Sequence, residues 1–188
     1  MTDVWPHLAG VDECAGATFD GDDLREVAID GFRFTDCTFR GVRFNAAAMT
    51  RVVFDGCVFQ GCNFFDTTLD ECTVVDGRFD RCSYTGMQVS GGDWTGSTLA
   101  GADLSTADFT GVTMRRVGLS GAHCAGAMFR DVDLGGADLR GADFTGTDLR
   151  GSVLTAFDPR EVELRGAVIT AEQAVDLAEA LGMSVRAG

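Results

Sequence analysis

No lysine occurs among the 188 residues, so all fifteen basic residues are arginine; proline occurs twice and tyrosine once. No run of 18 apolar residues is present, and the chain does not open on a charged segment followed by an apolar one. The expectation is a soluble, unexported protein with no membrane partner. The seven cysteines form no Cys-x-x-Cys pair, and their odd number argues against a complete disulfide framework. Both features point to the reducing cytosol. There is no glycine-rich phosphate loop between a strand and a helix, and no metal-spaced Cys/His cluster, so no cofactor is expected. What is left is a single domain long enough to bury a real core.

Carboxylates, by contrast, are abundant. They number 29 against 15 arginines, and the net charge of −14 repels nucleic acid and anionic membranes. Direct nucleic-acid binding is therefore not expected, and a positively charged partner is. The alternative reading of the charge is that it only keeps an elongated protein soluble.

The stretch "GGADLRGADFTGTDLRG" (135–151) says nearly the same thing three times, and its period runs far beyond it. From Phe19 to Leu154 every residue whose number ends in 4 or 9 is apolar, 28 positions in all, of which only Cys124 is small. Two residues earlier stands a mostly small residue (Ala17, Cys37, Ala102, Ala142), and two residues later, mostly glycine. A helix advances ~100° per residue, so a five-residue step scatters the large side chains around it. In a straight strand, five is odd and successive large residues would face opposite sides. The pattern works if the chain turns by the same angle once per unit, with glycine tolerating the tight corner. Four right-angle turns close a 20-residue coil with every large residue inside, and coils stack as short parallel strands ~4.8 Å apart. Periodicity alone leaves a three-sided coil open.

"ADLRGADFTGTDLRG" (137–151) resembles the A(D/N)Lxx motif of the pentapeptide repeat family. That resemblance implies an all-β, right-handed quadrilateral β-helix over residues 17–169, preceded by an N-terminal cap (1–16, with Trp5, Pro6 and Leu8) and followed by a C-terminal helix and tail (170–188). Seven coils over 17–156 make a rod of ~34 Å. Phe32 and Asp22 break the small-residue rule near the N-terminal end, where bulk or charge can help to cap it. In the coil 77–96, Gly77 accompanies Phe79 and Gly92 accompanies Trp94, so Gly92→Val is expected to clash with Trp94. Cys37, Cys57, Cys62, Cys72 and Cys82 hold the small inward position and read as inert core. His7 and His123 have no patterned partners. Asp103, His123 and Asp143 fall in one column, yet on a convex wall without a pocket, so no enzyme is expected.

Residue number modulo 20 assigns each charge in 19–154 to a side. The Phe19 side carries three acids against four arginines; the Leu24, Ile29 and Phe34 sides carry six against two, six against three and five against three. One side is near neutral and three are acidic. Duplex DNA carries one charge per ~1.7 Å, or ~20 over the same length. The rod has 20 carboxylates there, reduced in net charge by 12 arginines. Phe65 and Val75 take outward positions normally polar here, which reads either as an apolar contact patch or as the ordinary scatter of surface apolar residues.

After Leu154 the register skips once at Pro159 and resumes at Leu164 and Ile169. "TAEQAVDLAEALG" then changes period: Thr170 and Gln173 fit a capping box and Gly182 a C-terminal cap, so one short amphipathic helix is expected. Val175, Leu177, Ala178, Leu181 and Met183 supply more apolar surface than a lone cap needs, which favours a homodimer through this end over simple capping of the last coil. This ending, with the length, the unbroken rod and the acidity, is similar to the mycobacterial fluoroquinolone resistance branch of the family, the MfpA proteins. That resemblance implies a cytoplasmic, dimeric DNA mimic that binds DNA gyrase, inhibiting it or shielding it from fluoroquinolones. The related Qnr proteins carry projecting loops; residues 19–154 contain no insertion, so a loop-dependent mode is not expected. Charge and position nominate Asp103, Asp108, Asp131, Asp133, Asp143 and Asp148 for gyrase contact. The competing expectation is an interaction scaffold that uses the near-neutral side or Phe65.

Overall fold

The computed structural model describes residues 11–186. The chain winds into a right-handed quadrilateral β-helix closed by one helix, α1 (Ala171–Ala180). Every strand pairing is parallel and joins residues 20 apart, as in Phe19↔Phe39, Ile29↔Met49 and Phe34↔Phe54. That register settles the four-sided coil over the three-sided one. Three walls contain three-residue strands: the Phe19 wall from Thr18–Asp20 to Arg78–Asp80, the Ile29 wall from Ala28–Asp30 to Met128–Arg130, and the Phe34 wall from Glu13–Ala15 to Thr73–Val75. The Leu24 wall is a column of single bridges, Asp23↔Arg43↔Asn63↔Ser83 and, further up, Asp103↔His123↔Asp143↔Glu163.

The corners explain why strands thin out toward the C-terminus. There the carbonyl of most central residues accepts the amide three residues on, as in Leu99–Ala102 (3.0 Å), Leu119–Ala122 (2.9 Å) and Phe144–Thr147 (3.1 Å). The residue between, two after the central one, has positive φ, which is the type II arrangement and favours glycine. Ten non-glycine residues take positive φ at the same place in the repeat, hydrogen-bonded corner or not, among them Ala46 (φ 54°), Asp66 (φ 50°) and Glu71 (φ 51°). Holding an L-residue there costs about 1–2 kcal/mol, part of which glycine returns through its freer unfolded chain. Ala46 is exposed, and Ala46→Gly is expected to raise stability by about 0.5–1 kcal/mol, read from the urea midpoint.

Of the 28 central residues, 27 are buried and Ile29 is partly so. Rings on successive coils stack: Phe39 on Phe59 (4.9 Å, 8°), Phe59 on Phe79 (4.6 Å, 9°), Phe44 on Phe64 (5.0 Å, 7°). In-register parallel pairing imposes this, because it places like residues directly above one another. The small inward position has a second use that the sequence reading missed. A hydroxyl there donates to the carbonyl 23 residues earlier: Thr67 to Phe44 (2.8 Å), Thr147 to Cys124 (2.6 Å), Ser152 to Phe129 (2.7 Å). Thiols take the same place, Cys57 against Phe34 O and Cys72 against Met49 O. Burial pushes Cys57 up to about 12 and Cys72 up to about 11, so both stay protonated, inert core groups at neutral pH.

Three features depart from expectation. Glu13–Ala15, within the segment assigned to the cap, is a strand paired with Arg33–Thr35, and Cys14 continues the central column; Trp5, Pro6, Leu8 and His7 lie outside the described residues. At the skip around Pro159, Phe157 turns inward from a position mostly held by small residues, meeting Phe144 edge-on at 5.2 Å. Gly92 does not merely make room for Trp94. Its φ is +80° and an added Cβ would lie 2.0 Å from the Cys72 carbonyl oxygen, so the backbone, not the indole, forbids a side chain.

The helix seals the last coil through Gln173. Its Oε1 accepts from the Thr170 amide (2.8 Å) while the Thr170 hydroxyl accepts from the Gln173 amide, completing the capping box. Its Nε2 donates to the carbonyls of Leu149 and Ser152, both at 2.7 Å, satisfying the open end of the coil. At the far end Gly182 (φ 82°) donates to Glu179 and Met183 to Ala178, which is a Schellman closure.

Candidate functional site

The repeated aspartate turns out to have a backbone duty before any charge duty. At the position just before the central residue, its Oδ1 accepts the amide two residues on: Asp93 from Thr95 (2.8 Å), Asp103 from Ser105 (3.1 Å), Asp133 from Gly135 (2.9 Å), Asp143 from Thr145 (2.9 Å). This is an Asx-turn laid across each corner. The motif's Asp is therefore a structural acceptor whose second oxygen remains for other partners.

What that oxygen meets depends on the residue two places on. In Asp-Leu-Arg units the guanidinium folds back in a fork: Arg140 onto Asp138 (2.9 and 2.8 Å), Arg150 onto Asp148 (2.9 and 2.7 Å), Arg25 onto Asp23 (2.8 and 2.7 Å). The hydrogen bonds from Arg25 and Arg140 hold Asp23 and Asp138 at about 2, and those from Arg150 and then Arg130 hold Asp148 well below the usual carboxylate range. A depressed folded pKa contributes stability that is complete above the unfolded value, about 4, and lost as pH falls below it. The melting-temperature gap between wild type and Asp148→Asn is thus expected to be constant above about pH 5 and to close as falling pH protonates the Asp148 carboxylate, first in the unfolded chain. A gap unchanged down to pH 2 would contradict the pairing.

The six nominated aspartates are spread over three walls rather than gathered. Asp103 and Asp143 stand on the Leu24 wall either side of His123, Asp108 and Asp148 on the Ile29 wall, Asp131 at the corner beyond it (φ 54°), and Asp133 on the Phe34 wall. Asp133 is paired with Arg115 (2.9 Å), and Asp148 with Arg150 (2.7 Å) and Arg130, its side chain only 18% exposed. These two have lost most of their free charge. Asp103, Asp108, Asp131 and Asp143 make no ion pair with arginine among the described residues. The Ser105 hydroxyl and amide hold Asp103 below its ordinary value, as the Thr145 hydroxyl and amide do Asp143, with His123 contributing to both. Part of the distinction was legible in the sequence: Asp-Leu-Arg units are self-neutralising, whereas Asp-Phe-Thr and Asp-Leu-Ser units are not; the pairing of Asp133, in an Asp-Leu-Gly unit, with Arg115 was not.

The nominated apolar residues at the C-terminal end divide as well. Leu177 packs on the core, and Val175 and Ala178 are half-buried. Leu181 (41% exposed), Met183 (54%) and Val185 (48%) stand out into solvent, together with Val168 on the neighbouring wall. Among the described residues no helix is long and apolar enough to cross a membrane.

A rod of stacked square coils with Asx-bridged corners defines a class: the pentapeptide-repeat β-solenoids. The description "Pentapeptide repeat region" matches residues 32–109 and "Pentapeptide repeats (8 copies)" matches 119–155, and the chain belongs to the pentapeptide repeat family. It is similar in fold to a trypsin-treated form of QnrB1, a plasmid-mediated fluoroquinolone resistance protein, at 23% identity over 93% of this chain and 97% of that one, with a TM-score of 0.58. Full-length QnrB1 matches at 22% identity over 91% and 100% of the two chains with a TM-score of 0.36. HetL from Nostoc sp. strain PCC 7120, a pentapeptide repeat protein involved in heterocyst differentiation regulation, matches at 19% over 82% and 84% with a TM-score of 0.32. No curated protein matches the sequence.

Proposed function

We propose that this protein is a non-enzymatic, cytoplasmic DNA mimic that binds DNA gyrase, inhibiting it, protecting it from fluoroquinolones or related poisons, or both. The observation that carries this reading is the rigid 20-residue ladder, which repeats carboxylates at fixed intervals along three walls and leaves one wall near neutral. A DNA-binding saddle recognises regularly spaced negative charge on a stiff rod, and such a partner is basic by necessity. The shared fold with a fluoroquinolone resistance protein supports it. A two-fold dimer through Leu181, Met183 and Val185 would bury apolar surface that is otherwise left in water, and would double the length of the rod.

Mimicry has a measurable signature. Binding to purified gyrase should weaken steeply as salt rises and should compete with duplex DNA. A supercoiling assay with and without quinolone then separates inhibition from protection. Binding that is indifferent to salt, or simultaneous with DNA, counts against mimicry.

A further inference from the structure

Charge is unevenly used along the rod, and the exposed aromatic lies where it is least neutralised. Residues 52–114 contain two arginines, Arg78 and Arg81, both on the Phe19 wall. The other three walls of this central stretch carry eight carboxylates (Asp55, Asp66, Asp70, Glu71, Asp76, Asp93, Asp103 and Asp108) and no basic residue. None of the eight is in an ion pair among the described residues, whereas arginines pair with acids both below the stretch (Asp23, Asp30) and above it (Asp133, Asp138, Asp148).

Phe65 projects from this belt. It is 44% exposed, on the outward position of the Leu24 wall, and is the exposed aromatic among the described residues; the other large exposed apolar side chains are aliphatic. Its amide is held by Asn63 Oδ1 (2.9 Å) and its carbonyl by the Ala46 amide (2.8 Å), so the side chain leaves a rigid backbone. The next residue, Asp66, turns the corner at φ 50°, and one unit on Glu71 turns the following corner at φ 51°. Both are acids at positions where glycine is the cheaper choice. Between these corners the Ile29 wall is hollowed by a shallow 320 Å³ depression lined by Thr68, Asp70, Gln88, Ser90, Asp108 and Thr110 among others.

We propose that Phe65 and the depression beside it form a docking surface for a basic protein, with Phe65 entering an apolar hollow of the partner and Asp66, Asp70 and Glu71 meeting its surrounding cations. The inference rests on the reading of the protein as a gyrase ligand and moves the contact from the C-terminal half to the centre of the rod. Charge complementarity selects the occupant. Phosphates would be repelled, and a second copy would bring one arginine-free acidic belt against another. An aromatic anchor inside a charged rim is also the usual composition of a binding hot spot. Duplex DNA has no such protrusion, so the contact would distinguish this protein from the polymer whose charge it imitates.

The test compares four forms of the full chain for binding to purified DNA gyrase across a salt series: wild type, Phe65→Ser, the triple variant Asp66→Asn/Asp70→Asn/Glu71→Gln, and the control Asp20→Asn/Asp138→Asn on the near-neutral Phe19 wall. Circular dichroism and melting first establish that each variant is folded. Phe65→Ser should weaken binding about tenfold at every salt concentration, leaving the slope intact. The triple variant should weaken it at low salt and flatten the slope, while the control stays within about twofold of wild type. Wild-type binding with Phe65→Ser equally tight overturns this inference alone; absence of wild-type binding overturns it together with the gyrase reading. Sedimentation supplies the remaining arm: if Phe65→Ser dissociates an oligomer that the wild type forms, the surface is a self-contact and the proposal fails.

Discussion

Gly92→Val is expected to destabilise the rod by about 4 kcal/mol or more, enough to leave a large fraction unfolded. Two costs combine. The residue holds φ at +80°, which a β-branched side chain adopts only with strain, and an added Cβ would lie 2.0 Å from the carbonyl oxygen and 2.8 Å from the nitrogen of Cys72. Backbone of the preceding coil cannot yield as the tip of a side chain can. Gly101→Ala is the matched comparison, since its Cβ would meet nothing within 4 Å and only the left-handed φ of +66° is charged against it. It should cost about 1 kcal/mol. Denaturant melts of the two variants separate steric exclusion from conformational strain, and equal losses would show that the Cys72 contact is not what excludes the side chain.

Phe59→Ala should cost about 3–5 kcal/mol. The ring is 1% exposed, stacked between Phe39 (4.9 Å) and Phe79 (4.6 Å), and edge-on to Phe54 (5.3 Å) and Phe64 (5.7 Å). Its removal deprives two coils of a shared contact, and in a one-dimensional array the loss falls on the two interfaces that hold the rod together there. Phe59→Leu keeps most of the volume and should recover more than half of the stability. A Phe59→Ala loss below about 1.5 kcal/mol would show that neighbouring rings collapse into the space, contrary to the stiffness of an in-register stack.

These two sites mark where reading the chain succeeds and where it stops. Phe59 is legible because its role repeats: a large residue every fifth position can be inward only if the backbone turns once per unit. Gly92 is legible as a small inward residue, but its reason is not, because the contact is with a carbonyl 20 residues earlier, on the preceding coil. Phe157 was missed for a related reason. The skip at Pro159 breaks the register that identified every other core residue, and the vacant interior then drew in the nearest ring. Gln173 was recognised as half of a capping box, which is local; its bonds to Leu149 and Ser152 are not local and left no signal in the spacing.

The candidate surface divides in the same way. Residue number modulo 20 places every charge on a wall, because the coil length is constant. Whether a carboxylate is free depends on how neighbouring coils align. Asp-Leu-Arg units such as 138–140 and 148–150 close on themselves within two residues, which a reader of the sequence could have caught. The pairings of Asp133 with Arg115 and of Asp148 with Arg130 span 18 residues and connect one coil to the next. Those contacts pair Asp133 and add a second partner to Asp148, two of the six carboxylates nominated by charge and position.

The sequence by itself determined the repeating unit, one turn at every fifth residue with the large side chain inside, since a period of five has few ways to bury its large residues; the 20-residue register then closed the coil with four sides. Tertiary structure decided which charges remain available, which glycine is indispensable and how the C-terminal end is sealed. Those outcomes depend on atoms one coil apart, brought within bonding distance by the 20-residue register and its single interruption, and no neighbouring stretch of chain carries that information.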